Sequence, residues 1–434
     1  MSPLIVGVIG FVVLVFLLLF VGTPVGFTMG VVGVAGFGYL VGWEPALNIL
    51  RTAPYLTISD YSMSVIPLFL LMGALTFYAG ISRDLYYTMY RWLGYLRGGL
   101  AMATVAACAG FAAISGTSMA TAATMGTVAL PEMKKYKYDS ALAVGCIAAG
   151  GTMGILIPPS VTMIVYAIIT EQSVGKLFLA GVIPGILEAV FYIVTIAILC
   201  KRRPLIGPPG ERTTLAQKIF SLGSTWPVIT LFLIVIGGIF MGVFSPTEAG
   251  GIGALGAFLF ALGKRKLSRS NLYAALLETG KTTAMLLVII IGAKIFGYFL
   301  SVSRLPFELA DAMAGLTFNR YIILGMIVAV YIFLGCFMLP MPLIIVTVPI
   351  IFPLILSLGF NPIWFGIIVV RLVEIGQITP PVGLNLFVVK GVAKDIPMGT
   401  IYRGVIPFLI ADIFHVVLLV ALPQISLFLP SFMK

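Results

Sequence analysis

From Leu4 to Val21 the chain runs through eighteen consecutive apolar residues, and its first charged side chain is Glu44. A stretch of about 20 apolar residues crosses the hydrocarbon core as a helix. No basic n-region precedes this one, so it reads as a permanent first span and not as a cleavable signal. The remainder repeats the theme, with 60% of the 434 residues hydrophobic and 9% charged. Soluble domains carry roughly 25% charged residues, too many more for this chain to build a water-facing surface. In lipid the backbone must satisfy its own hydrogen bonds, so the expected fold class is an all-α polytopic membrane protein.

Apolar runs fall near 4–22, 24–42, 64–82, 98–131, 141–170, 176–200, 226–244, 247–263, 282–303, 320–358, 362–389 and 402–430. Two of them, 98–131 and 320–358, are too long for one span yet have no charged loop at their centre. Their centres hold Ser115-Gly116-Thr117-Ser118 and Gly335 with Pro340 and Pro342. This pattern predicts re-entrant hairpins, which enter and leave the membrane on one side. Two other runs are broken by Pro158-Pro159 and Pro380-Pro381. Proline has no amide hydrogen and clashes with the carbonyl four residues back. The carbonyls of Gly154 and Ile155, and of Gly376 and Gln377, are therefore expected to be free at membrane depth, where a dehydrated cation would suit them.

These features come in pairs. Pro158 and Pro380 are 222 residues apart, as are Pro24 and Pro246, and Gly116 and Gly335 are 219 apart. Internal repetition with discontinuous helices at matching positions is a signature of secondary transporters. With the N-terminus outside and the first hairpin opening inward, 19 of the 26 Lys and Arg residues are cytoplasmic. Five, among them Lys434, are outside, and Lys294 and Arg371 lie within spans. That asymmetry obeys the positive-inside rule and makes the two halves inverted repeats. It also accounts for the net charge of +11 without nucleic acid. Amphipathic stretches 43–63 and 264–281 read as surface arms, the second basic enough for an anionic lipid surface.

Half-helix N-termini offer amide donors and a positive dipole end, whereas unwound carbonyls offer the reverse. Hairpin tips facing broken helices can thus hold cations beside an anionic substrate. Ser115, Ser118 and Thr379 add hydroxyl oxygens, hard ligands suited to an alkali cation. Among charges within spans, Arg371 and Glu374 are three apart and can neutralise each other. Glu188, Lys294 and Asp412 are also intramembrane, with His415 a packing partner for Asp412. Gly22, Gly26 and Gly30 have the spacing of helix-packing glycines. Cys108, Cys146, Cys200 and Cys336 lie in apolar segments without metal-like spacing. Gly251-Ile252-Gly253-Ala254-Leu255-Gly256 spells a dinucleotide fingerprint but lies inside an apolar run with no strand before it. Without a Ser-His-Asp set, metal cluster or nucleotide loop, no enzyme is expected.

Over essentially its whole length the sequence resembles the large membrane subunit of tripartite ATP-independent periplasmic (TRAP) transporters, of the ion transporter superfamily. The matching motifs are Ser115-Gly116-Thr117-Ser118-Met119-Ala120-Thr121, Gly154-Ile155-Leu156-Ile157-Pro158-Pro159-Ser160, Phe244-Ser245-Pro246-Thr247-Glu248-Ala249-Gly250 and Thr379-Pro380-Pro381-Val382-Gly383-Leu384-Asn385. The resemblance implies a sodium-coupled, elevator-type importer of a small organic acid anion in a bacterial inner membrane. It implies two partners as well, a small four-helix membrane subunit and a periplasmic substrate-binding protein. One sodium ion would be held by Ser115, Ser118, Gly154, Ile157 and Pro159, the other by Gly335, Gly376, Thr379 and Val382. Thr117, Thr121, Ser160, Gly383 and Asn385 are the implied substrate contacts. The second tip departs from the family at Leu339, where many members carry a polar or acidic residue.

The implied division is scaffold and arm at 1–97, transport domain at 98–170, and a connecting helix and cytoplasmic loop at 171–225. The second half repeats it as scaffold and arm at 226–303 and transport domain at 304–400, closed by a C-terminal helix at 401–434. The alternative is a self-sufficient carrier of the divalent-anion/sodium symporter type. Sialic acid, dicarboxylate, keto acid and sulfonate are all open as substrates.

Overall fold

The computed structural model describes residues 1–314 and 319–433, so Lys434 lies outside the described residues. Helix starts follow caps written in the sequence. Ser2 caps α1 (Pro3–Phe16), which continues through a π-helical turn at Leu17–Val21. α2 (Val25–Val41) leads to α3 (Trp43–Ile58), the first expected arm. α4 (Val65–Tyr78) is followed by α5 (Ile81–Leu93), an amphipathic helix that the apolar runs did not reveal.

Hairpin and broken helix then follow. α6 (Gly99–Ser115) and α7 (Ser118–Lys135) meet at Gly116 and Thr117. α8 (Ser140–Thr152) and α9 (Val161–Thr170) flank a non-helical segment at 153–160. α10 (Val174–Arg202) closes the first half. The second opens with α11 (Leu215–Phe240) and α12 (Pro246–Gly263). Ser245 and Glu248 form a reciprocal capping box at the start of α12, with Pro246 at its first position. α13 (Arg269–Ser303) and α14 (Leu305–Ala314) come next.

The same order of hairpin and broken helix then recurs. α15 (Arg320–Gly335) and α16 (Pro340–Ser357) are followed by α17 (Pro362–Ile378) and α18 (Leu384–Val392), either side of a break at 379–383. The final apolar run is split at Leu422-Pro423 into α19 (Met398–Ala421) and α20 (Gln424–Ser431). Among the described residues, seven helical stretches of 18 residues or more are apolar enough to cross a membrane.

Two expectations change. The basic stretch 264–281 is not a separate arm, because from Arg269 it is the first part of the 35-residue α13. Gly280 is the only helix-weakening residue near the expected joint, and one glycine costs a helix only about 1 kcal/mol. The packing glycines also differ, since a Cβ added at Gly22 or Gly30 would meet nothing within 4 Å. The close approach is instead between Gly26 of α2 and Gly292 of α13, where a Cβ on Gly292 would lie 2.0 Å from the Gly26 carbonyl oxygen. The four cysteines are free and buried.

α2 runs along α13, and α4 along α12. In the other body, α8 is enclosed by α6, α7 and α19, while α17 is enclosed by α15, α16, α10 and α19. The helices α10 and α19 therefore pack inside the hairpin and broken-helix body. The sequence had suggested only a connector and a terminal helix.

Candidate functional site

α6 ends in Gly116 at a φ of +63°, a left-handed backbone that glycine adopts freely. This turn presses the first tip onto the first break. A Cβ on Gly116 would stand 3.2 Å from the Pro159 carbonyl oxygen, and one on Gly154 only 2.4 Å from that of Thr117. Ser115 Oγ lies 2.8 Å from Thr121 Oγ1, which donates at 2.9 Å to the Thr117 carbonyl. With the Thr121 proton committed there, Ser115 is the donor and its own lone pairs remain available. Among the described residues no hydrogen-bond donor reaches the carbonyls of Gly154 and Ile155. Ser115, Gly154 and Pro159 are thus gathered at one junction, whereas the Ser118 hydroxyl turns to α17 and the Ile157 side chain packs on Gly185 of α10.

At the second junction the contact is backbone on backbone. A Cβ on Gly376 would lie 2.5 Å from the Cα of Gly335. The Gly383 amide donates to the Cys336 carbonyl at 3.1 Å. One expected free carbonyl is taken, because Thr379 N–H donates to Gly376 O at 3.1 Å. The break begins with a tight turn at that residue instead of an open helix end. Thr379 Oγ1 donates at 2.6 Å to the Ile375 carbonyl, which leaves its lone pairs outward. Val382 follows within the same break.

A cavity of about 550 Å³ lies between the two tips and the scaffold pair α2 and α13. The first tip contributes Gly116 to Met119 and the second Leu339 to Pro342, with Phe27 and Met285 opposite. Among the described residues no charged side chain lines it. Thr162, also lining it, has a buried Oγ1 with no partner among the described residues. Of the implied substrate residues only Thr117 lines this cavity. Thr121 is turned into the first junction and Ser160 caps α9 by accepting from Met163 N–H at 3.4 Å. Gly383 and Asn385 sit at the start of α18, with both side-chain polar atoms of Asn385 buried and without a partner among the described residues.

One residue was missed. Gln377 is fully buried, and its Oε1 accepts the Ser118 hydroxyl at 2.7 Å, tying the first tip to the second broken helix. The available signal was a carboxamide one turn beyond Glu374, at the end of a helix whose other polar residues are Arg371 and Glu374.

The intramembrane charges also gather differently from expectation. Arg371 does meet Glu374, Nη1 to Oε2 at 3.0 Å, but the same Nη1 donates to Glu188 Oε1 at 2.8 Å. Its Nη2 donates to Asp412 Oδ1, and its Nε to His415 Nδ1 at 3.1 Å. His415 therefore pairs with Arg371 and not with Asp412. Three helices supply these groups, so periodicity along any one of them could not reveal the set. Lys294 lines a separate cavity of about 530 Å³ with Glu171, Tyr298 and Ser301.

The profile of the family described as "Tripartite ATP-independent periplasmic transporter, DctM component" matches residues 12–425. The chain is 38% identical over 404 residues to the C4-dicarboxylate TRAP transporter large permease protein DctM of Pseudomonas aeruginosa, covering 91% of this chain and 94% of that one. It is 34% identical over 379 residues to the isethionate TRAP transporter permease protein DctMQ of Oleidesulfovibrio alaskensis, covering 87% of this chain and 59% of that one. In three dimensions it resembles the YdaH transporter of Alcanivorax borkumensis, with a TM-score of 0.63 at 15% identity over 89% of each chain, a likeness of fold alone.

Proposed function

This chain belongs to the DctM component family of tripartite ATP-independent periplasmic transporters, and from that premise we propose that it is the sodium-coupled transport subunit for a small organic acid anion. It is a multi-pass membrane permease and not an enzyme. The observation that carries the coupling is the first junction, where Gly154 is pressed against Thr117 and Thr121, Ser115 is bonded to Thr121, and among the described residues no donor reaches the carbonyls of Gly154 and Ile155. Hydroxyl and carbonyl oxygens of this kind are hard ligands suited to a cation. The second ion would use the Thr379 hydroxyl and the backbone around Gly335, Gly376 and Val382. The two halves work as inverted repeats, and the body of α6–α10 and α15–α19 moves as an elevator against α1–α4 and α11–α14. The N-terminus is periplasmic, which leaves most basic residues inside.

The cavity between the tips is the substrate site. Thr117, at the N-cap of α7, makes no side-chain cap bond, so the first amides of α7 are free to receive a carboxylate. At the start of α16, Pro340 and Pro342 remove two of the amides a helix normally offers. The anionic end therefore sits at the first tip, and the apolar body lies towards Leu339 and Met341. A small four-helix membrane subunit and a periplasmic binding protein complete the machine, in keeping with a family described as tripartite and periplasmic of which this chain is one component.

The test is uptake into proteoliposomes holding this chain and its small subunit, with and without the binding protein and a sodium gradient. Uptake requiring both supports the reading. Uptake by this chain alone, without a binding protein, would make it a self-sufficient carrier instead. Sodium-independent uptake would remove the coupling.

A further inference from the structure

The buried cluster around Arg371 has an unbalanced charge. Glu188, Arg371, Glu374, Asp412 and His415 are all fully buried. Three carboxylates face one guanidinium. His415 contributes no positive charge, because its Nδ1 accepts from Arg371 Nε and a guanidinium only donates. Were every carboxyl ionised, the cluster would carry a net charge of −2 away from water, and buried charges persist only when paired.

The hydrogen bonds leave the same deficit. Arg371 spends its donors on Glu188, Glu374, Asp412 and His415, with a longer contact from Nη2 to Tyr192 at 3.4 Å. Glu188 Oε2, Glu374 Oε1 and Asp412 Oδ2 remain buried with no partner among the described residues. The three carboxylates are not equally served. Glu188 Oε1 takes Nη1 at the shorter distance, 2.8 Å against 3.0 Å, and Asp412 has Nη2, while the Thr152 hydroxyl 3.2 Å from Glu188 gives its hydrogen to the Ala149 carbonyl at 2.6 Å. Glu374 has only a share of the Nη1 that Glu188 already uses. The free oxygens belong to three helices, and among the described residues no three acidic, His or Cys side chains are arranged to hold one metal ion. Protons bind one oxygen each and need no such convergence.

We propose that this cluster is a proton-binding site and that Glu374 holds a proton at neutral pH. Glu188 from α10, Asp412 from α19 and Arg371 from its own helix act on Glu374 directly, while Tyr192 of α10 and His415 of α19 bond to Arg371 and Thr152 of α8 lies beside Glu188. Of the other elements packed on α17, α9 has Tyr166 on the Pro362 carbonyl and α15 has Tyr331 on Thr347. Lys390 of α18 is held by the carbonyls of Lys394 and Ile396.

Position gives the site its consequence. Thr152 is the last residue of α8 before the first break, and Glu374 stands one turn before Gln377, which holds the first tip through Ser118. A proton on Glu374 therefore sits in a cluster that draws on both broken helices, α17 directly and α8 through Thr152 beside Glu188, at the ends that frame the proposed ion sites.

The experiment is infrared spectroscopy of the full chain in lipid, following the C=O stretch of protonated carboxylic acids in water and in deuterium oxide. The wild type should show such a band at neutral pH, shifted by deuterium. Glu374→Gln should lose it, whereas Glu188→Gln and Asp412→Asn should keep it. A band that survives in Glu374→Gln, or is lost only in one of the other two, overturns the assignment. Absence of the band from the wild type between about pH 5 and 8, the range in which carboxyls are ordinarily ionised, overturns it without any variant.

Discussion

At the first junction the tip meets its broken helix through the backbone of Gly116 and Gly154, but it also carries hydroxyls, with Ser115, Thr121 and Thr117 bonded in series and Ser118 reaching across to Gln377 of the second broken helix. At the second they meet through bare backbone, Gly376 against Gly335, beside a tip that reads Cys336-Phe337-Met338-Leu339-Pro340. The hairpins differ in the same sense. The arms of the first, α6 and α7, pack on each other, while α15 and α16 barely touch and pack on other helices. Two hairpins at matching places thus both close on glycine backbone, but only the first adds hydroxyl links around it. A hydroxyl link tolerates small shifts because the donor can rotate; a glycine pair has no such slack.

That difference sets the largest expected effect. Gly376→Ala would put a methyl 2.5 Å from the Gly335 backbone, which no rotamer can relieve. Overpacking of this kind costs about 1–3 kcal/mol, and a shift of the second tip should lower sodium-driven uptake by about tenfold or more, since about 1.4 kcal/mol is tenfold. Gly335→Ala, with its nearest contact at 3.1 Å, should lose less. Equal uptake by Gly376→Ala and wild type would show that backbone contact does not hold the second tip.

The next effect tests the hydroxyl side. Ser118→Ala removes the donor to Gln377 Oε1 and leaves a buried carbonyl oxygen unpaired, at a cost of about 1–3 kcal/mol in stability. Adding Gln377→Leu removes the orphan, so the double variant should be less destabilised than the sum of the single ones. Strict additivity in thermal unfolding would mean the two junctions are not linked through this bond.

Much of this was legible because the breaks are chemical. Pro158-Pro159 and Pro380-Pro381 cannot continue a helix, so both broken helices and both tips fall where the residues dictate. The small amphipathic α5 was not legible, because apolar runs register spans and α5 mixes Arg83, Asp84 and Arg91 into its length. Likewise nothing in residues 264–281 announces that α13 continues unbroken. At the site, local motifs located each junction, but Gln377 meets Ser118 across 259 residues and Arg371 meets Glu188 across 183. Those pairings are decided by helix packing, which spacing along the chain does not encode.

Thr379→Ala sharpens the comparison at lower cost. Thr379 Oγ1 already has its hydrogen on the Ile375 carbonyl, so the alanine variant leaves the helix end intact and removes only the outward lone pairs. The half-saturating sodium concentration for uptake should rise about tenfold or less, roughly the 1.4 kcal/mol of one hydrogen bond or ligand contact. Uptake at saturating sodium should be retained. Unaltered sodium activation would leave the second junction without a side-chain ligand, making it a backbone site throughout.

The smallest effect belongs to a link between the two halves at the surface. Lys134, at the end of α7, donates to both oxygens of Asp395, in the loop after α18, at 2.8 and 2.7 Å. That hydrogen bond holds the Asp395 carboxyl below the usual carboxylate range. A lowered folded-state value means the contribution is present above the unfolded pKa of about 3.9 and is lost as pH falls through the folded value. Asp395→Asn should therefore lower the thermal midpoint slightly at neutral pH, and the gap to wild type should close in acid. Because the pair is exposed it is screened by salt, so the gap should also shrink as ionic strength rises. A large loss of uptake in Asp395→Asn would mean that the two hairpin bodies are coupled at this surface and not only through Ser118 and Gln377.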